Sequence, residues 1–275
     1  MRAGSIKIKR YKTRKKGWGW VILMALLLLS YGLWRWQQAG FPLPLSQSLS
    51  PAPTLSPEQA RTEEKTLILP GQSWYALQLG IFDLEASARS MAAGFQARGA
   101  GGFIDDREKY RVLAAAYENR ADAQAVQQQL KALHNVEAYI LPLQSPELTL
   151  QLSGQKAQLT ALSDALDALH QTATLLSHLS LSLDRREINQ ETLRSALSSQ
   201  QETLSSLEKR LHQLFGENPH TAVQPILSTL EELTVSLATA RQAQGETRLG
   251  AQVKYCQLLC IVRLSQYAAE LSSPQ

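Results

Sequence analysis

The sequence predicts an α+β fold of the split β-α-β, ferredoxin-like kind, a four-stranded sheet with two helices on one face. It sits between an N-terminal transmembrane helix and a C-terminal all-α bundle. Three observations predict this. First, the chain nearly repeats itself at an offset of 35 residues, which carries Tyr75 onto Tyr110, Leu77 onto Val112, Phe82 onto Tyr117, Ala86 onto Ala121 and Ala88 onto Ala123. Such self-similarity means two copies of one supersecondary unit. Second, Trp18 to Trp36 is a nearly uncharged apolar run preceded by a cluster of cations. Third, from Leu159 onward leucines recur at three- and four-residue spacing, the period of amphipathic helices.

Composition bounds the function classes. Of 275 residues, 19% are charged and 44% hydrophobic, a balance that excludes a wholly disordered chain. The net charge of +4 is unevenly placed. Arg2, Lys7, Lys9, Arg10, Lys12, Arg14, Lys15 and Lys16 stand in residues 1–17 without an acid, and the other residues carry 20 bases against 24 acids. The basic excess is therefore a short leader and not a nucleic-acid-binding surface, so no nucleic acid is expected as a partner.

Residues 1–17 read as a cytoplasmic tail and residues 18–36 as a single membrane span. Val21–Ser30 is almost wholly aliphatic, and Trp18, Trp20, Tyr31, Trp34 and Trp36 bracket it like an interfacial aromatic belt. Nineteen residues rise roughly 28 Å as a helix, about one hydrocarbon core. The run ends Leu-Trp-Arg-Trp-Gln-Gln, which lacks the small residues of a cleavage site, so an uncleaved anchor is expected over a signal peptide. The positive-inside rule then puts the N-terminus in the cytoplasm and the bulk of the chain outside the cell membrane. Residues 37–70, with Pro42, Pro44, Pro51, Pro53 and Pro57 among serines and glutamines, read as a semi-extended linker.

Residues 71–146 hold the repeat. Over Trp74–Phe82, Tyr75, Leu77, Leu79 and Ile81 point one way and Trp74, Ala76, Gln78 and Gly80 the other. Asp83 is placed to cap a helix whose Ala88, Met91, Ala92 and Phe95 form an apolar face, and Gly99, Gly101 and Gly102 stop it. Phe103–Asp106 reads as a short strand. Tyr110–Tyr117 alternates again, with Lys109, Arg111 and Leu113 on one side. Asn119 caps a second helix with Val126, Leu130 and Leu133 inward, and Val136–Leu141 is the last strand. Both helices cover the consistently apolar sheet face. The opposite face is expected to be open and to carry Trp74, Gln78, Lys109, Arg111 and Tyr139.

The pieces Trp74-Tyr75-Ala76-Leu77-Gln78-Leu79-Gly80-Ile81-Phe82 and Tyr110-Arg111-Val112, each followed by an alanine-rich helix, resemble the SPOR (sporulation-related repeat) domains. The resemblance covers about 70 residues of the chain. It implies binding of peptidoglycan, in particular glycan strands stripped of stem peptides at division or sporulation septa, by a domain tethered outside the membrane. It implies a ligand lying on the open sheet face, at Gln78, Arg111 and Tyr139, with Lys109, Trp74 and Ile81 beside them. The residue types suit a glycan: Gln pairs with an amide, Arg with a lactyl carboxylate, and an aromatic ring packs on a sugar face. A solvated outer sheet face is the plainer reading of the same residues. Two departures stand out, Ala115-Ala116 where the family often has Gly-Pro, and Ile81 where a small or polar residue is common.

The resemblance does not extend to residues 147–275. Leu148, Leu150 and Leu152 alternate like a short strand. Four leucine stripes follow, with breaks near Asp184–Glu187, Phe215–Pro219 and Gly245, which predicts a bundle of three or four helices or, alternatively, a coiled coil. Cys256 and Cys260 are one turn apart and read as small apolar core residues. His134, His170, His178, His212 and His220 show no ligand spacing, so neither metal nor cofactor is expected. No carboxylate pair or zinc set marks a hydrolase, and the chain reads as a binding protein without enzymatic activity. The alternative is a scaffold whose helical region recruits a septal partner or self-associates while the sheet domain localises it. A regulator of a cell-wall hydrolase is a minor reading.

Overall fold

Alternation in the first half and leucine stripes in the second produce six strands and six helices among the described residues, 62–216 and 219–272 of a computed structural model. The basic tail, the apolar run 18–36 and the spacer up to residue 61 lie outside the described residues. No helix among the described residues is long and apolar enough to cross a membrane.

The repeat folds as β2 (Gln72–Phe82), α1 (Glu85–Gln96), β3 (Phe103–Asp105), then β4 (Tyr110–Tyr117), α2 (Arg120–His134) and β5 (Tyr139–Ser145). The four strands form an antiparallel sheet in the order β3-β4-β2-β5. The alternation places Leu77, Leu79, Val112 and Ala114 on the side of the two helices, where they pack with Ala88, Ala92 and Ala123 from α1 and α2. Ala115 and Tyr117 join them, against strict alternation, because the register of β4 with β2 shifts between Leu113 and Ala116. The alanines matter because a residue without a γ-carbon lets a helix lie close to the strands.

Three local expectations are corrected. Asp83 does not cap α1. The residue before that helix is Leu84, which makes no side-chain cap, and Asp83 instead pairs with Lys109 at 2.8 Å. The last strand is Tyr139–Ser145 and not Val136–Leu141. Asn135 takes a left-handed conformation (φ 50°), and Val136 N–H donates to Leu130 C=O, so residues 135 and 136 finish α2 instead of starting the strand. Phe103–Asp106 shortens to Phe103–Asp105. Asn119 caps α2 as its type predicts, accepting from Asp122 N–H at 2.8 Å.

The spacer reading of 37–70 is corrected at its end. Thr62–Leu69 is a strand, β1, paired antiparallel with β6 (Leu148–Gln155). The register of β1 with β6 continues that of β2 with β5 without a slip: Gln72 stands opposite Ser145 and Leu69 opposite Leu148. One long ribbon therefore runs from Thr62–Gln78 against Tyr139–Gln155. Its ladder is interrupted only at Pro70-Gly71 and Pro146-Glu147, where proline offers no N–H. A Cβ at Gly71 would come within 3.0 Å of Glu147 N and 3.1 Å of Ser145 O, so the close crossing there needs glycine.

The leucine stripes become α3 (Lys156–Asp184), α4 (Gln190–Phe215), α5 (Gln224–Gln242) and α6 (Glu246–Ser272). Each packs on the next and α6 returns to α3, a four-helix bundle closed within the chain. Leu169, Leu176, Leu197, Leu204, Leu230, Leu237, Cys256 and Cys260 lie in its core. Gln158 Nε2 donates to Leu214 C=O across the bundle end at 2.9 Å. The β1–β6 ribbon lies on α3, with Leu67 and Leu69 buried in the same core.

Both cysteines are free and fully enclosed, and burial pushes the Cys256 thiol up to about 12 and the Cys260 thiol up as well. A folded-state pKa above the unfolded one stabilises the fold at lower pH. That contribution is present below about 9, the ordinary thiol value, and is lost as pH rises towards 12. Iodoacetamide at pH 8 should leave both thiols unmodified in the folded chain and alkylate both in denaturant, read by mass spectrometry. Modification of the folded chain at the rate of a free thiol would contradict this packing.

Candidate functional site

Residues directly opposite each other on paired strands share a face. Trp74 stands opposite Leu143, Ala76 opposite Leu141 and Ala116, Gln78 opposite Tyr139 and Leu113, and Leu113 opposite Phe103. These residues form the sheet face away from α1 and α2. Register shifts between Ala76 and Gln78 and between Gln78 and Gly80 then change the alternation. Ile81 pairs with Arg111, and Arg111 with Asp105. The strict alternation expected for β2 put Ile81 on the helix side, opposite to Gln78. The bulge turns it onto the same face as Gln78 and Arg111.

This face is not open, as the sequence led one to expect. Helix α6 crosses it, packing on β3, β4 and β5. Gln257 Nε2 donates to Ala116 C=O at 2.9 Å, the rings of Tyr255 and Phe103 meet at 5.5 Å, and Lys254 Nζ reaches Gly99 C=O at 3.2 Å and Asp184 at 2.9 Å. Trp74 is accordingly only 6% exposed, and Gln78, opposite Tyr139, is 7% exposed. Trp74, Phe103, Leu113, Leu143, Leu258 and Leu259 belong to the core shared with the bundle. At about 1.5–3 kcal/mol for each large apolar side chain, uncovering them would cost roughly 10 kcal/mol or more, comparable to a whole domain's stability. A ligand of micromolar affinity supplies about 8 kcal/mol. The helix is therefore part of the fold.

What stays exposed is a strip at the other end of the face. Tyr139 is 64% exposed and Ile81 49%. Arg111 on β4 pairs with Ile81 on one side and with the buried Asp105 of β3 on the other. The Arg111 side chain is 24% exposed, its Nη2 donates to Glu108 at 2.7 Å, and its Nε meets no protein acceptor. Asp105 is buried and takes two N–H bonds from Arg107, at 2.8 and 2.6 Å. The hydrogen bond to this carboxylate raises the Arg107 pKa further, against the opposing effect of burial. Lys109 sits at the rim, held by Asp83 in an exposed pair of the kind that contributes little stability. Of the six residues singled out in the sequence, Ile81, Arg111 and Tyr139 thus share an accessible strip with Lys109 at its rim, while Trp74 and Gln78 lie beneath or beside α6.

Two other features lie elsewhere. On the opposite side of the sheet a groove of about 850 Å³ is lined by Leu77, Ala114 and Ala115 of the sheet, by α1 and α2, and by Leu181 and Asp184 of α3 and Lys254 of α6. On the bundle, Glu208 and His212 from α4 meet Glu231 from α5, their ligand atoms within 4.8 Å of one another. His212 and Glu231 are hydrogen-bonded at 3.0 Å, and that interhelical contact accounts for the cluster. The sequence did not reveal it, because Glu231 comes from the next helix.

The sequence reading also missed the second apolar side of α6. The stripe through Leu249, Val253, Cys256, Cys260, Leu264 and Tyr267 is real, yet Leu258, Leu259, Ile261 and Val262 are buried too. The signal was present: Cys256–Leu264 reads CQLLCIVRL, apolar nearly all round, and such a helix is buried on all sides.

Residues 71–142 match the family model of the SPOR domain. No curated protein and no solved structure matches the chain.

Gly101 permits the close approach of α6. A Cβ there would stand 3.0 Å from Leu258 Cδ1 and 3.1 Å from the Lys254 carbonyl carbon. Gly101→Leu should destabilise the chain by about 1–3 kcal/mol, seen as a lower urea midpoint. An unchanged midpoint would contradict the tight seating of α6 on the sheet.

Proposed function

We propose that this chain, which carries a SPOR domain in residues 71–142, is a membrane-anchored protein that binds peptidoglycan at the division or sporulation septum. SPOR domains are peptidoglycan-binding domains of cell division, and they bind without catalysing. The match over residues 71–142 is the observation that carries the reading. The ligand is a glycan strand stripped of stem peptides, and it contacts the accessible strip through Tyr139, Ile81 and Arg111.

The chemistry of that strip suits a glycan. The exposed Tyr139 ring offers a flat apolar surface to a sugar ring. The Arg111 guanidinium, whose side chain is 24% exposed and paired with Glu108, offers charge-assisted donors to a lactyl carboxylate through its exposed N–H groups. Ile81 adds an apolar contact between them. Residues 18–36 serve as the anchor: eight cations precede this run, and aromatic residues bracket it.

The test is sedimentation of the full chain, in mild detergent, with amidase-treated sacculi. Loss of a hydrogen bond to a charged group costs about 1.5–3 kcal/mol, a factor of about 10–100 in affinity. Arg111→Ala combined with Tyr139→Ala should therefore weaken pelleting at least tenfold while leaving the circular dichroism spectrum unchanged. Binding equal to wild type would overturn the placement of the ligand on this strip.

A further inference from the structure

We infer that α6 is a fixed wall across the SPOR sheet, which covers Trp74 and confines the glycan to the strip at Tyr139, Ile81 and Arg111, with Gln78 buried and closed to the ligand as well. The inference rests on the peptidoglycan reading and narrows it. A sheet with one helix-covered face ordinarily offers the whole of its other face. Here the chain supplies its own occupant for part of that face. Gln257 takes the Ala116 carbonyl, and the Tyr255 ring meets Phe103 at a tilt.

The wall is anchored from both sides. Towards the sheet, Lys254 bonds Gly99 C=O; towards the bundle it bonds Asp184, and Cys260 Sγ donates to Leu169 C=O. Lifting α6 would open the bundle as well as the sheet, because one apolar core contains both. The free strip crosses the strands from β5 through β2 to β4, two strand spacings, or about 10 Å between the outer strands. A continuous glycan can lie across this strip but cannot extend along the strands over Gln78 and Trp74. The protein thus selects a short stretch or an end of a denuded strand.

The full chain tests this with amidase-treated sacculi and with soluble glycan fragments cut from them by muramidase. Gln78→Ala should pellet within about twofold of wild type, and Gly101→Leu, which pushes on α6, should bind no better than wild type. Backbone amide exchange in residues 254–260 should be as slow with saturating fragments as without, a measurement that needs no variant. A tenfold loss in Gln78→Ala with its fold intact, a fivefold gain in Gly101→Leu, or faster exchange in α6 on adding fragments would overturn the wall while leaving peptidoglycan binding standing. A wild-type chain that fails to pellet overturns the peptidoglycan reading, and the wall's role with it.

Discussion

The packing of α6 against the sheet is the contact on which the rest depends. It merges the sheet and the four-helix bundle into one apolar core. It converts a two-layer α+β unit into three layers, with α1 and α2 on one side and the bundle on the other. It also decides which residues meet solvent. Trp74, Leu113 and Phe103 serve as core because a helix covers them, and Tyr139 and Ile81 remain outside because the helix stops short of them. The continuous ribbon from Thr62 to Gln78 and back from Tyr139 to Gln155 supports the same arrangement, since it leads directly into α3.

This architecture gives physical reasons for Ala115-Ala116 and Ile81, the residues singled out in the sequence. A helix can approach a strand closely where side chains are small, and β4 offers Ala114, Ala115 and Ala116. The bulge there places Ala114 and Ala115 towards α1 and α2 and Ala116 towards α6. Ala115-Ala116 thus serves packing on both sides of the sheet. The bulge in β2 carries Ile81 onto the strip, beside Arg111.

Much of this was legible in the sequence. The 35-residue repeat gave the strand–helix order, the alternation assigned Leu77 and Val112 to the helix side, and the breaks at Asp184, Phe215 and Gly245 located the bundle's turns. What failed to show were long-range effects. Thr62–Leu69 is too polar at its start to read as a strand, and it forms one by pairing with β6 some 90 residues later. The bulges in β2 come from pairing, so Ile81 was assigned to the wrong side. The closed face does not show in a single leucine stripe, because CQLLCIVRL gives α6 two apolar sides.

The central claim is that a glycan binds the strip while α6 stays seated. Methyl NMR of the isotopically labelled full chain in detergent, titrated with denuded glycan fragments, tests it most directly. The account predicts progressive shifts for the Ile81 δ1 methyl and none for the methyls of Leu258 and Leu259 on α6. Shifts at Leu258 and Leu259 that match or exceed those at Ile81 would contradict it.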